Sequence, residues 1–326
     1  MAILQKLASL LVVAATLSFV AVPARADEYP ARPVKIVAPF GAGGPTDVYT
    51  RAIAEELRQS LHQTFIIENR PGAGTTIGTD QVAKAAPDGY TLLMISGTQA
   101  VNETLYSKKP YQLMRDLVPV APLIDSDLVL VVPSSLPVKS VAELLALARS
   151  KPGTINYGSS GPGSNYHMAG ELLKNLSGID IVHVPYKGST GARNDILSGQ
   201  IQMLFDSVPT MSPLIKGGLV RPIATTGKTR SPILPDVPTL DEAGVKGFQA
   251  SLWVGFMAPA GTPQPIVDLL NREINKIQAR PDIKALWVEQ GANPFMMKQP
   301  EFTTFMESEI AKWAKLIKAN NIPSIN

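Results

Sequence analysis

Apolar strand-like runs in this chain end repeatedly in glycine-rich loops that open into helices, and this unit restricts the sequence to an α/β fold. The first unit is Val34-Lys35-Ile36-Val37-Ala38-Pro39-Phe40, then Gly41-Ala42-Gly43-Gly44. A helical pattern over 46–61 follows, with Val48, Ile53, Ala54 and Leu57 on one face. A second strand over 64–68 ends at Asn69-Arg70-Pro71-Gly72, a helix over 76–85 stops at Pro87-Asp88-Gly89, and a third strand covers 90–95.

The pattern then restarts. Residues 128–132 read as a strand, and Ser140-Val141-Ala142-Glu143 is a capping box opening a helix to 149. Strands over 155–157, 179–184, 201–205 and 220–225 alternate with helices over 165–176 and 190–197. The last third holds a strand over 251–257 and helices over 263–278, 283–290 and 301–319, expected to pack back on the first sheet. The expected plan is one domain of 27–127 plus 251–326 and a second of 128–250, each a mostly parallel sheet flanked by helices. The two crossings, near 125–128 and 250–252, would form a hinge.

The N-terminus has the anatomy of a cleavable signal peptide. Lys6 precedes an uncharged apolar run over 7–22, and Ala24-Arg25-Ala26 places small residues where a signal peptidase reads. The run is shorter than the roughly 20 residues a membrane span needs. Cleavage after Ala26 would export the mature chain to the periplasm. It would remove two of the 30 basic side chains and none of the 27 acidic ones, leaving 28 against 27. That balance argues against a nucleic-acid partner. The chain has no cysteine and three histidines, His62, His167 and His183, with no pair at i, i+4 spacing. Neither a thiolate nucleophile nor a histidine metal site is expected.

Three glycine-rich loops carry the candidate chemistry. In the first, Gly43 and Gly44 let the backbone approach a ligand, and the helix start with Thr46 offers free N–H groups to an anion. Asp47 reads as a helix cap. The second, Arg70-Pro71-Gly72-Ala73-Gly74-Thr75-Thr76-Ile77-Gly78, misses the dinucleotide fingerprint because its third glycine is one place late. It reads as a tight turn with a hydroxyl-bearing helix start, Thr75 among its hydroxyls. Arg70 is either a carboxylate clamp or a structural ion pair. The third runs from Gly158 to Asn165, with Ser159, Ser160, Gly161, Gly163 and Ser164. It reads as a hydroxyl-lined anion nest, or as a broken nucleophile elbow with Pro162 where glycine belongs. Two strand ends, at Lys187 and at Asp206, complete the set: Lys187 would attract a carboxylate, and Asp206 would accept from a ligand amine or hydroxyl.

Several ordered stretches are similar to the Bug-type solute receptors of tripartite tricarboxylate transporters. They are Tyr29-Pro30-Ala31-Arg32-Pro33-Val34-Lys35-Ile36-Val37, Phe40 to Asp47, Glu68-Asn69-Arg70-Pro71-Gly72-Ala73-Gly74, and Ala83-Lys84-Ala85-Ala86-Pro87-Asp88-Gly89-Tyr90-Thr91-Leu92. Gly161-Pro162-Gly163-Ser164-Asn165-Tyr166-His167, Val184-Pro185-Tyr186-Lys187-Gly188 and Pro235-Asp236-Val237-Pro238-Thr239 continue the series. The resemblance covers nearly the whole mature chain. It implies a two-domain periplasmic binding protein, type II-like, that holds a carboxylate through loop backbone, hydroxyls and bridging waters.

Carried over residue by residue, the resemblance points to Phe40, Gly43, Gly44 and Thr46 in the first loop, and to Ser159, Gly161, Gly163, Ser164 and Asn165 in the third. Thr98, Lys187 and Asp206 stand at positions implied to set specificity. The family's first loop often reads Pro-Gly-Gly before its Thr/Ser-x-Asp; here it is Gly41-Ala42-Gly43-Gly44-Pro45-Thr46, so Pro45 stiffens the helix entrance.

The expected function is capture of a small mono- or dicarboxylate by a monomeric receptor that closes on it and delivers it to integral-membrane transporter subunits, without a cofactor. A receptor for a neutral or cationic solute is one alternative. A secreted hydrolase using Ser159, Ser160 or Ser164 with His167 or His183 is the other.

Overall fold

The computed structural model describes residues 29–325. The expected signal peptide lies outside the described residues. Among the described residues, ten strands follow in chain order. They are β1 (Val34–Ala38), β2 (Phe65–Asn69), β3 (Thr91–Ser96), β4 (Leu117–Pro133), β5 (Ile155–Ser159), β6 (Ile181–Pro185), β7 (Met203–Ser207), β8 (Val220–Thr225), β9 (Ser251–Pro259) and β10 (Asn293–Pro294).

β1 lies between β2 and β3, parallel to both. β9 runs antiparallel between β3 and the first part of β4. Asp127 of β4 still pairs with Ser251 of β9, but from Leu128 onward the same strand pairs with β7 and β8. β5 joins β7 to β6, all parallel. One long strand thus passes from a first sheet into a second. The outer strands have the parallel βα arrangement expected from the sequence. The return strands β4 and β9 are antiparallel, so both sheets are mixed.

The helices are α1 (Pro45–Leu61), α2 (Thr76–Ala83), α3 (Gly97–Leu105), α4 (Leu113–Asp116), α5 (Val141–Ser150), α6 (Asn165–Ser177), α7 (Ser189–Ser198), α8 (Val208–Lys216), α9 (Gln264–Ala279), α10 (Pro281–Glu289) and α11 (Gln299–Ala319). The capping box before α5 is partly as read: Ser140 Oγ accepts from the Glu143 N–H, while Glu143 Oε2 accepts from the Lys139 N–H rather than from that of Ser140. None of the described helices is long and apolar enough to cross a membrane.

Prolines hid two elements from the sequence. Pro119 and Pro122 lack the N–H a ladder needs, so the first half of β4 does not read as strand. The structure accommodates them with register shifts at Pro119/Ala121 and Pro122/Ile124. Helix α8 carries Pro209 in its first turn and Pro213 inside it.

The core explains why the two sheets hold together. Ile53 and Leu57 of α1 and Leu270 and Ile274 of α9 bury against Val34, Ile36 and Leu92 on one face of the first sheet. Phe302 and Met306 of α11 cover its other face. Further along α11, however, Trp313, Leu316 and Ile317 join a core with Leu130, Tyr157 and Phe205 of the second sheet. Val101 and Leu105 of α3 belong to that same core. The last helix therefore spans both sheets instead of packing only on the first. A helix of 21 residues is about 30 Å long, enough to reach across two cores.

Candidate functional site

A cavity of about 530 Å³ opens between the two sheets. Each of its walls is built from strand ends and the helix starts that follow them. From the first sheet come Phe40, Gly43, Gly44 and Thr46, then Thr75, Ser96 and Thr98. From the second come Ser160, Ser164, Asn165, Lys187, Ser189 and Arg193.

Two close approaches shape these walls. A Cβ on Gly78 would lie 2.8 Å from Pro39 Cβ and 2.9 Å from the Arg70 carbonyl oxygen, so α2 is drawn tightly onto the end of β1. Gly163 has φ +76°, and a Cβ there would lie 2.7 Å from Leu105 Cδ2. The third loop therefore sits directly on α3, which bridges the two sheets.

The starts of α1, α2, α3, α6 and α7 all contribute to the lining. Ser96 caps α3 by accepting from the Thr98 N–H, and Ser164 caps α6 by accepting from the His167 N–H. No side chain caps α1, α2 or α7, which begin after Gly44, Thr75 and Gly188. Uncapped first turns keep donors and the positive dipole end for something in the cavity. Among the described residues, the lining contains Lys187 and Arg193 and no acidic residue.

Asp47 organises the first loop from behind. It is 2% exposed, and it is not the cap of α1, which is Gly44. Its Oδ2 accepts from the Gly43 N–H at 2.9 Å and from Arg51 Nε at 2.8 Å, and its Oδ1 accepts from Asn69 Nδ2 at 2.9 Å. Burial alone would raise its pKa, but the bonds from Arg51, Gly43 and Asn69 outweigh it and hold the carboxyl below its usual value.

The structure brings Phe40, Gly43, Gly44, Thr46, Thr75, Thr98, Ser164, Asn165 and Lys187 together around the cavity. Four other candidates are not among the lining residues. Ser159 is fully buried, with its Oγ 2.6 Å from His183 Nε2. Gly161 takes the Ser164 hydroxyl on its carbonyl, and the Gly163 N–H donates to His167 Nδ1. Asp206 is fully buried and faces Arg193 rather than open space. Arg70 pairs with Glu68, so its structural reading holds. Arg193 itself, with Tyr166 and Thr190, lines the cavity without having been singled out. It falls inside the helical stretch 190–197, and only the fold brings it beside Asp206.

The profile of the tripartite tricarboxylate transporter family receptor, TctC, matches residues 49–322. The chain belongs to this receptor family. Protein BugT of Bordetella pertussis is 38% identical over 301 residues, covering 92% of both chains. Among solved structures, R. palustris Rpa4515 with adipate is 36% identical with a TM-score of 0.84, covering 91% of this chain and all of that one. MatC (Rpa3494) from Rhodopseudomonas palustris with bound malate is 32% identical with a TM-score of 0.79, covering 89% of this chain and all of that one. The resemblance read from the loops is thus a family relationship, and the two-domain binding-protein fold is that of its members.

The family is one of receptors, which removes the hydrolase alternative, and the geometry agrees. The Ser159–His183 pair lies outside the cavity lining. Ser160 and Ser164 do line the cavity, but neither histidine does. Instead the two imidazoles stack on each other, centroids 3.9 Å apart, under the third loop of the receptor.

Burial of these two rings is expected to make the receptor acid-sensitive. Burial, with a smaller push from Lys174, lowers the His167 pKa to about 4; burial and the neighbouring His167 lower that of His183 to about 3. Unfolded histidine titrates near 6.5. Between these values the unfolded chain binds protons that the native rings refuse. The neutral pair's contribution is therefore complete above about pH 6.5 and is lost as pH falls towards 4. The expected slope is up to about 1.4 kcal/mol per pH unit for a buried ring. Urea unfolding at about pH 7.5 and about pH 5 checks this. A His167→Gln variant should lose less stability over that interval than wild type, and equal losses would contradict the assignment.

Proposed function

We propose that this chain is a periplasmic receptor that captures a small carboxylate in the cavity between its two sheets and presents it to integral-membrane transporter subunits. The observation that carries the reading is the cavity wall: three uncapped helix starts, several hydroxyls and two cationic side chains, with no carboxylate among the described lining residues. Aimed N–H and O–H donors in a partly dry cleft replace the hydration of an anion at fixed geometry. A neutral or cationic solute would leave these donors unmatched. The adipate and malate named with two solved relatives support the same ligand class.

In this reading 1–26 is a cleaved export signal, 27–127 plus 251–326 form one domain and 128–250 the other, and the receptor acts as a monomer. The crossings at β4 and at the entry to β9 act as the hinge. Ligand touches both domains only in the closed form, so binding shifts the population towards closure. A membrane partner then reads the closed surface.

A thermal-shift panel of mono- and dicarboxylates, adipate and malate among them, against amines and sugars tests the assignment. A carboxylate at about 100 times its dissociation constant should stabilise the receptor by about 2.7 kcal/mol. Stabilisation by sugars or amines alone would refute the proposal.

A further inference from the structure

The charge of the cavity wall is one-sided. The first-sheet wall offers glycine backbone and the hydroxyls of Thr46, Thr75, Ser96 and Thr98, and none of its lining side chains is charged. Both cationic groups, Lys187 and Arg193, stand on the second-sheet wall. One carboxylate group can be met by the neutral donors, which leaves the cationic side chains for a second group of the ligand.

Arg193 is held in a defined pose. Its side chain is 21% exposed, and its Nε donates to Asp206 Oδ2 at 2.6 Å. Asp206 is in turn fixed. It is wholly buried at the end of β7, and its Oδ1 accepts from the Ser207 N–H at 2.7 Å and from the Thr210 hydroxyl at 3.4 Å. The Tyr166 hydroxyl stands close enough to this carboxylate for the two to interact electrostatically. Only Nε of the guanidinium is used; neither terminal nitrogen has a hydrogen-bond partner among the described residues. A half-buried guanidinium with two unused forked donors, in the wall of a cavity, matches the geometry of one carboxylate.

We propose that Arg193 clamps a second anionic group of the ligand, so that the receptor selects dicarboxylates over monocarboxylates of the same length. Asp206 is its positioning residue. The first carboxylate lies at the neutral donors of the first-sheet wall, the second at Arg193, with Lys187 adding attraction at the rim. Asp206 thus shapes specificity without touching the ligand. The inference rests on the carboxylate reading of the same cavity.

Calorimetric titration with a dicarboxylate and with its monoamide tests it. The monoamide keeps length and shape and removes one charge. Wild type should bind the dicarboxylate at least about tenfold more tightly, the value of a charge-assisted hydrogen bond. In Arg193→Gln this preference should fall to about threefold or less, and Arg193→Lys should retain part of it. Asp206→Asn should also reduce the preference, and circular dichroism of the free variants separates loss of fold from loss of selectivity. Equal binding of both ligands by wild type, or an undiminished preference in a folded Arg193→Gln, would overturn the assignment while leaving the carboxylate receptor intact. Failure of wild type to bind any carboxylate would overturn both.

Discussion

Replacing Trp253 with alanine is expected to lower the unfolding free energy by about 4 kcal/mol. The residue is 1% exposed and sits in β9, where its backbone pairs with Asp125 beside the crossing into the second sheet. Its ring packs edge-on to Phe302 and Phe305, with centroids 6.2 and 5.2 Å away. Its Nε1 donates to Glu309 Oε2 at 3.1 Å. Truncation therefore opens a cavity between β9 and α11 and takes one donor from a carboxylate that is 7% exposed. Trp313 Nε1, also at 3.1 Å, and Lys312 remain to hold Glu309, which bounds the electrostatic part of the loss. Trp253→Phe restores most of the volume but not the bond, and should cost about half as much. Urea unfolding of the three proteins checks the order. A loss below about 1 kcal/mol for the alanine variant would mean that the joint between sheet and helix repacks freely.

Asp47→Ala is expected to act on both stability and binding. Three partners converge on this carboxylate: the Gly43 N–H, Arg51 and Asn69. Arg51 is 50% exposed and regains water when the acid is removed, so the cost is set at about 2 kcal/mol rather than the larger figure for a wholly buried pair. The Gly43 N–H and Asn69 lose their acceptor as well, and the loop they pin forms one wall of the cavity. Affinity for the ligand should therefore fall at least about tenfold, because the loop must be ordered at the moment of binding. The carboxyl lies below its usual pKa when folded. Its contribution is present above about pH 4 and is lost as pH falls through the folded value. Asn at this position keeps the shape and should fall between Ala and wild type. Unchanged affinity in Asp47→Ala would show that the first loop holds its form without this anchor.

The sheets were legible because apolar runs ended by Gly41–Gly44 or by Pro71-Gly72 have few other ways to be buried. The same logic located the walls of the cavity, since ligands gather where parallel strands give way to helices. What stayed hidden has local physical reasons. Pro119 and Pro122 disguise half of β4, and Pro209 and Pro213 disguise α8. Asp206 and Ser159 read as cleft residues because they sit at strand ends, yet side-chain alternation turns both behind the wall. Arg193 has no local signature; its role depends on a partner 13 residues away that only the fold brings near. The bridging of both sheets by α11 is likewise invisible in a periodic helix pattern, which reveals a buried face but not what buries it.

The central claim is that the cavity between the sheets recognises a carboxylate by its charge. Titration calorimetry of the protein with the most stabilising dicarboxylate of the panel, and with the corresponding diamide, tests it most directly. Saturable one-to-one binding of the acid, with no measurable binding of the diamide, is the predicted result. Equal binding of acid and diamide, or binding of neither, would contradict the account.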